Sequence, residues 1–308
     1  MSALKDALAD YLKVRRQLGF QLRYDSCALE RFVGFLEQEG AERITTDLAL
    51  QWARMPKNVH PYCWHQRLLV VRGFARHLAT IDPDSEVPST DLLPGNRPRI
   101  APYIYTDTEI RSLIDAAGEL EPPLRALRHQ TLIGLLAVTG LRLGEALALD
   151  RADVDLDRAV LHVRMGKNGS QRDVPIHQST ATALGVYARA RDAAWRAPQT
   201  PAFFISTTGL RMARNDLNRV FIRLIAHVGL EGRGARARPR PHDLRHTVAV
   251  RTLLDWYDAG EDIDRRMPLL STYLGHVSPV HTYWYLEAVP ELLARVSDRL
   301  GELEGVLS

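Results

Sequence analysis

The first eighty residues alternate apolar stripes with breaks at the spacing of helices. Leu4, Leu8, Leu12 and Leu18 recur at helical intervals, with Lys13, Arg15 and Arg16 turned elsewhere, so residues 3–19 read as an amphipathic helix. A second helix runs from about Ser26 to Glu39 and stops at Gly40, a residue type that takes a left-handed cap readily. Thr46 and Asp47 open a third through Leu48–Arg54. A fourth, over Pro61–Ala79, sets Leu68, Val71, Ala75 and Leu78 on one side and Arg72 and Arg76 one turn apart on an adjacent side. Charged faces are the norm on surface helices. A solvated stripe is therefore the plainer reading of that arginine pair, and phosphate tracking the functional one.

The pattern then breaks. Residues 81–103, IDPDSEVPSTDLLPGNRPRIAPY, are dense in Pro, Ser, Asp and Gly, which marks a linker. We expect a helical domain over 1–95, a linker over 96–105 and a second domain over 106–308. Thr106 and Glu109 have the spacing of a capping box at the start of that domain. Helices are predicted at 107–117 and 123–138. Period-two alternation at 159–165 and 172–176, around a Gly-containing turn, predicts a hairpin of two strands. Helix returns at 179–195, a short strand at 202–206 and helix again at 212–228. The tail is amphipathic, with Leu292, Leu293, Val296 and Leu300 in register. The fold class is mainly α with a small antiparallel β-sheet, in two domains.

Composition narrows the function only slightly. A chain of 308 residues is long enough to bury two cores, and 45% hydrophobic with 25% charged residues is ordinary for a soluble protein. A net charge of +3 is too small to name a nucleic-acid partner, so local clustering of arginine has to carry that argument. Cys27 and Cys63 fit neither a metal-ligand spacing nor a disulfide framework, and no signal peptide or membrane span is evident. The expectation is a cytoplasmic, soluble protein with no membrane partner.

Candidate chemistry concentrates in the second domain. Arg142 lies between two apolar strings, and Glu145, three residues on, can hold it on the same helical face, either as a structural pair or as an arginine aimed at a phosphate. Lys167 sits in the expected hairpin turn. A lysine there is ordinarily solvated, but it is also suited to protonate a leaving alkoxide. Arg172 reads as a strand-face or phosphate-contacting residue. The run GRGARARPRP, with Arg236, Arg238 and Arg240, reads as an extended basic loop leading to His242. His242 and Arg245 share a helical face, as do His242 and His246. The latter pair mimics a two-histidine zinc motif, weakly, since the acid is Asp243 and no third ligand follows at a usual spacing. His246 is expected to be structural, hydrogen-bonding within the domain. Gly275 ends a helix ahead of His276, and Tyr273, Tyr283 and Tyr285 cluster around it. Tyr283 and Tyr285 cannot share a helical face, so at most one enters a given pocket; spacing alone does not choose.

Taken together, TGLRLGEALAL (139–149), HDLRHT (242–247) and LGH (274–276) followed by a tyrosine nine residues on resemble the tyrosine recombinase, or phage integrase, family in order and spacing. The resemblance implies catalytic roles for Arg142, Lys167, His242, Arg245, His276 and Tyr285, with Glu145 supporting Arg142. Tyr285 becomes the nucleophile, His242 its base, Lys167 the acid and His276 a phosphate donor. It also implies a site-specific recombinase or integrase serving a mobile element, with a 3′-phosphotyrosyl intermediate and no metal or other cofactor. The first domain then clasps double-stranded DNA, with Arg72, Arg76, Arg172, Arg236, Arg238 and Arg240 as contact candidates. The synapse is a homotetramer, with sister recombinases or DNA-bending proteins as further partners, and the tail helix docks on its own or a neighbouring protomer. A type IB topoisomerase-like relaxer, a catalytically silent DNA-binding partner and a zinc hydrolase are the alternatives.

Overall fold

A computed structural model describes residues 2–20, 22–96, 100–164, 171–196, 198–232, 238–276, 278 and 280–288. The chain divides into two compact units, Met1–Arg99 and Ile100–Ser308.

Among the described residues the first unit is four helices, α1 (Ala3–Gln17), α2 (Arg23–Gln38), α3 (Thr46–Arg54) and α4 (Pro61–Leu78). The apolar stripe of α1 is buried at Leu4, Leu8 and Leu12, against Phe32, Leu36, Trp52, Val71 and Phe74 from the other three. The Thr45 hydroxyl caps α3 by accepting the Leu48 N–H. Two arginines of α4 brace the unit. Arg67 lies over the Trp52 ring at 3.6 Å and donates to the Trp52 carbonyl, and half-buried Arg72 donates to the carbonyl of Pro88. Arg76 is exposed.

The second unit opens on α5 (Asp107–Gly118), where the expected capping box is present: the Glu109 N–H donates to Thr106 Oγ1 at 3.2 Å and the Thr106 N–H to Glu109 Oε2 at 2.8 Å. It continues through α6 (Pro123–Thr139), the short α7 (Leu143–Ala148) and a 3₁₀ turn at Arg151–Asp153. A three-stranded antiparallel sheet follows, β1 (Val154–Asp155), β2 (Val160–Val163) and β3 (Arg172–Pro175), in that order, with Leu161 opposite Val174 and Val163 opposite Arg172. The unit then runs through α8 (Gln178–Ala194), α9 (Arg214–His227), α10 (Pro241–Asp258), α11 (Ile263–Leu274) and α12 (Val280–Ala288). Its main core joins Leu132, Leu136, Leu161, Tyr187, Phe203, Phe204 and Phe221. A second cluster packs Val250, Leu253, Met267, Leu270 and Tyr285 between α10, α11 and α12.

The sheet differs from expectation in two places. β1 has only two residues, too short to show a period. The run at 202–206 is not a strand: Ala202 and Ile205 make isolated bridges to Asp150 and Arg211, while Phe203 and Phe204 fill the core beside Tyr187. Apolar continuity there reflects burial, not a ladder. The expected tail helix lies outside the described residues. Among the described residues no helix is long and apolar enough to cross a membrane.

Candidate active site

Two helices of the second unit end at glycines in the left-handed region, α6 at Gly140 (φ 62°) and α11 at Gly275 (φ 69°). The last carbonyls of a helix lack partners within it and carry the negative end of its dipole. Here guanidiniums satisfy them. Arg245 Nη1 donates to the Gly140 carbonyl at 2.8 Å and its Nη2 to the Leu274 carbonyl at 2.6 Å. Arg142 Nη2 donates to the Gly275 carbonyl at 2.8 Å. Arg172 Nε donates to the Tyr273 carbonyl at 2.8 Å. Three arginines from a helix cap, a strand and α10 therefore meet on the C-terminal end of α11.

Glu145 ties them together. Its Oε1 accepts from Arg142 Nη1 at 2.8 Å and from Arg172 Nη1 at 3.2 Å, and its Oε2 accepts from Arg172 Nη2 at 2.9 Å and from the Arg142 backbone N–H at 3.0 Å. Burial acting alone raises its pKa, but the hydrogen bonds from Arg172 and Arg142 outweigh it and hold the carboxyl below its ordinary 4.5. Arg172, read from sequence as a strand-face or phosphate contact, is 10% exposed and spends all three nitrogens inside the protein. It braces the site from beneath.

Glu145→Gln leaves this buried cluster one negative charge short. We expect it to destabilise the fold by about 3 kcal/mol. Because the folded pKa of Glu145 is depressed, its contribution is complete above 4.5 and is lost as pH falls through the lower folded value. Urea unfolding of both proteins across acidic pH checks this: the gap should close toward low pH, and a pH-independent gap would assign it to packing instead.

Gly275 is required twice over. Its φ excludes most side chains, and a Cβ there would stand 2.6 Å from Arg172 Nη1. Gly275→Ala is expected to cost about 1–2 kcal/mol through the left-handed backbone. It also pushes Arg172 off Glu145, so any activity dependent on Arg142 placement should fall by about 10²-fold. A stability loss with unchanged activity would show that the brace is dispensable.

Above the arginines lie three imidazoles and one phenol. Tyr285, on α12, is 2% exposed, and its hydroxyl is 2.8 Å from His246 Nδ1. Its ring packs against Trp284, His246 and His276, with centroids 5.4, 5.5 and 6.5 Å away. Tyr283 faces elsewhere: it is 36% exposed and donates to Asp264 at 3.2 Å. His276 Nδ1 is 2.7 Å from the Thr282 hydroxyl, itself 2.7 Å from that of Ser271, which fixes the ring against α12. His242 meets His246 edge-on at 4.7 Å.

Burial pushes the Tyr285 phenol up, to about 12, against the opposing pull of Arg245 and Arg142. His242 is exposed, yet the protein crowding its ring, followed by the positive charges of Arg245 and Arg240, pulls it from 6.5 down to about 4. Arg245 falls to about 10, through burial and then the nearby Arg142, and stays protonated at neutral pH. In the absence of an anion both the phenol and the His242 imidazole are neutral at pH 7. Three clustered guanidiniums face a single carboxylate, Glu145, so the cleft has an excess of positive charge that favours an anion.

The remaining sites are more dispersed. Arg240 opens α10, where its backbone N–H donates to buried Asp243 at 2.8 Å and its half-exposed guanidinium reaches the same carboxylate. Arg238 is exposed. Lys167 and Arg236 lie outside the described residues. No group of three or more His, Cys, Asp or Glu side chains among the described residues is arranged to hold a metal, and His246 of the zinc-like pair is turned to Tyr285. The hydrogen bond within the domain expected of His246 is present, and its partner, Tyr285, is what sequence reading did not name. The one signal was the helical spacing of His246 from His242.

Residues 104–291 match the phage integrase family. A Sinorhizobium fredii chain named as an integrase/recombinase, y4rB, is 43% identical over 308 residues, covering 97% of this chain and 98% of the relative. Tyrosine recombinase XerD of Mycobacterium tuberculosis is 32% identical over 223 residues, 71% of this chain and 67% of the relative. Among solved structures, the Tn1549 transposon integrase in complex with transposon right end DNA overlays with a TM-score of 0.66 at 19% identity, covering 96% of this chain and 99% of that one, a likeness of fold. The matched residues contain the whole arginine, histidine and tyrosine cleft, and the chain belongs to the phage integrase family, the tyrosine recombinases.

Proposed function

We propose that this protein is a site-specific DNA recombinase that cuts and rejoins strands through a 3′-phosphotyrosyl link on Tyr285, in the service of a mobile element. The observation that carries the reading is one buried phenol sharing a cleft with Arg142 and Arg245, whose charges act on it. Tyr285 attacks the scissile phosphate, a bond forms to phosphorus, and the bond to the 5′ oxygen breaks. The freed 5′-hydroxyl of a partner duplex then reverses the step, so the phosphodiester energy is conserved and neither ATP nor a metal is called for.

Arg142 and Arg245 fork onto the non-bridging oxygens, where charge builds in the transition state. A guanidinium has five N–H donors. The bonds to Glu145 and the helix-end carbonyls use two on each arginine, leaving donors for a phosphate. His276 donates a further hydrogen bond to the phosphate, a role its anchorage on Thr282 supports, and neutral His242 lines the same cleft among cations that a bound phosphodiester would offset. Lys167, carried over from the family resemblance, would protonate the leaving 5′ oxygen. The first unit clasps the duplex, with exposed Arg76 on α4 as a phosphate contact, and four copies assemble across two sites.

A strand-exchange assay tests this. The purified protein, with EDTA present, is given a supercoiled plasmid carrying two copies of the site that flanks its own element, and a plasmid with none. Deletion or inversion between the two sites is expected, with the site-free plasmid untouched. Relaxation of both plasmids without exchange would favour a topoisomerase-like enzyme. Tight binding with no cleavage would favour a silent DNA-binding partner.

A further inference from the structure

We propose that His246 is a catalytic residue of this chain, the group that takes the proton from Tyr285 as it attacks phosphorus and returns it when the strand is rejoined. The inference rests on the phosphotyrosyl reading above and assigns one proton within it. A general base has to lie within hydrogen-bond reach of the proton that it abstracts, about 2.6–3.2 Å between heavy atoms. His246 Nδ1 meets that condition at 2.8 Å, and this is the one hydrogen bond of the Tyr285 hydroxyl among the described residues. His242, the base implied by the family resemblance, contacts the ring of His246 one helical turn away, not the phenol.

The setting favours transfer at the moment of attack. The titratable and charged groups around the pair are His242, Asp243 and Arg245 on α10, Arg142 at the cap of α7, and His276 stacked 6.5 Å from Tyr285. Arg245 and Arg142 pull the Tyr285 phenol toward ionisation, against its burial. A bound phosphodiester contributes the negative charge that makes an imidazolium acceptable there. The step balances with the His246 tautomer protonated at Nε2: the phenol O–H bond breaks, its proton moves to Nδ1, the phenolate oxygen bonds to phosphorus, and the P–O5′ bond breaks with the electron pair leaving on the 5′ oxygen. Rejoining runs the same transfers backward. The Trp284 ring, 5.9 Å from the His246 ring, closes the apolar side of the pair.

The test is single-turnover formation of the covalent complex by the full-length protein on a suicide duplex, from pH 5.5 to 9.5. His246→Asn keeps an amide oxygen near the Nδ1 position, able to accept a hydrogen bond but not a proton. It is expected to bind DNA within threefold of wild type and to cleave about 10²-fold more slowly. It should lose the acidic limb of the profile, its rate climbing with pH instead. A more acidic 3-fluorotyrosine at position 285 should restore His246→Asn by at least tenfold and change wild type little. His242→Asn should keep the acidic limb.

His246→Asn cleaving within threefold of wild type with an unchanged profile would overturn the proposal. So would loss of the acidic limb in His242→Asn alone. If His246→Asn does not fold, fluorotyrosine in the wild-type background decides with His242→Asn. A limb that stays in place supports a histidine base, and one that follows the phenol overturns it. A wild-type protein that forms no covalent complex at all refutes the phosphotyrosyl reading itself, a result no His246 variant can mimic.

Discussion

Tyr285→Phe is expected to fold, bind its DNA as wild type does, and form no covalent protein–DNA adduct. The reason lies in how little else the substitution changes. Phenylalanine keeps the ring that packs against Trp284, His246 and His276, so the cluster between α10, α11 and α12 stays filled. The hydroxyl lost makes one described hydrogen bond, to His246, worth about 1 kcal/mol. The chemistry, by contrast, loses its nucleophile. A denaturing gel with a nicked suicide duplex reads the adduct, and a parallel urea titration reads the fold. An adduct persisting in Tyr285→Phe would mean that another side chain attacks, with Tyr283 the next to replace.

Arg245→Lys is expected to slow cleavage by about 10³-fold while DNA affinity changes little. The substitution keeps the charge, so any electrostatic attraction of the duplex survives. What it removes is shape. Arg245 is 2% exposed and spans two helix ends, with one nitrogen on the Gly140 carbonyl and another on the Leu274 carbonyl. A single ammonium cannot hold both carbonyls and still fork onto a phosphate. Single-turnover adduct formation beside a binding titration separates the two effects. A rate within tenfold of wild type would show that charge alone suffices and that the fork is not used.

The helices were legible because their apolar stripes are regular: α1, α3, α4 and α6 fall within two residues of the ends that periodicity assigned. Punctuation worked too, since Gly40 and Gly275 both close helices in the left-handed region. The misses share a cause. Arg172 reads as a surface residue because its partners, Glu145 and Tyr273, lie 27 and 101 positions away. The contact of His246 with Tyr285 crosses 39 positions and leaves no local pattern. Likewise, spacing could not rank Tyr283 against Tyr285, whereas burial separates them at once, the first turned to Asp264 and the second into the cleft. Local periodicity reports which face of an element is buried. It does not report which distant groups that face will meet.

The account turns on one covalent bond, and mapping that bond tests it most directly. The wild-type protein would be trapped on a suicide duplex carrying its own site, digested with trypsin and nuclease, and the nucleotide-bearing peptide sequenced by mass spectrometry. The account predicts a single modified residue, Tyr285, with phosphate on its phenolic oxygen and the DNA joined through its 3′ end. Modification of Tyr283, of any other residue, or a 5′ linkage would contradict it.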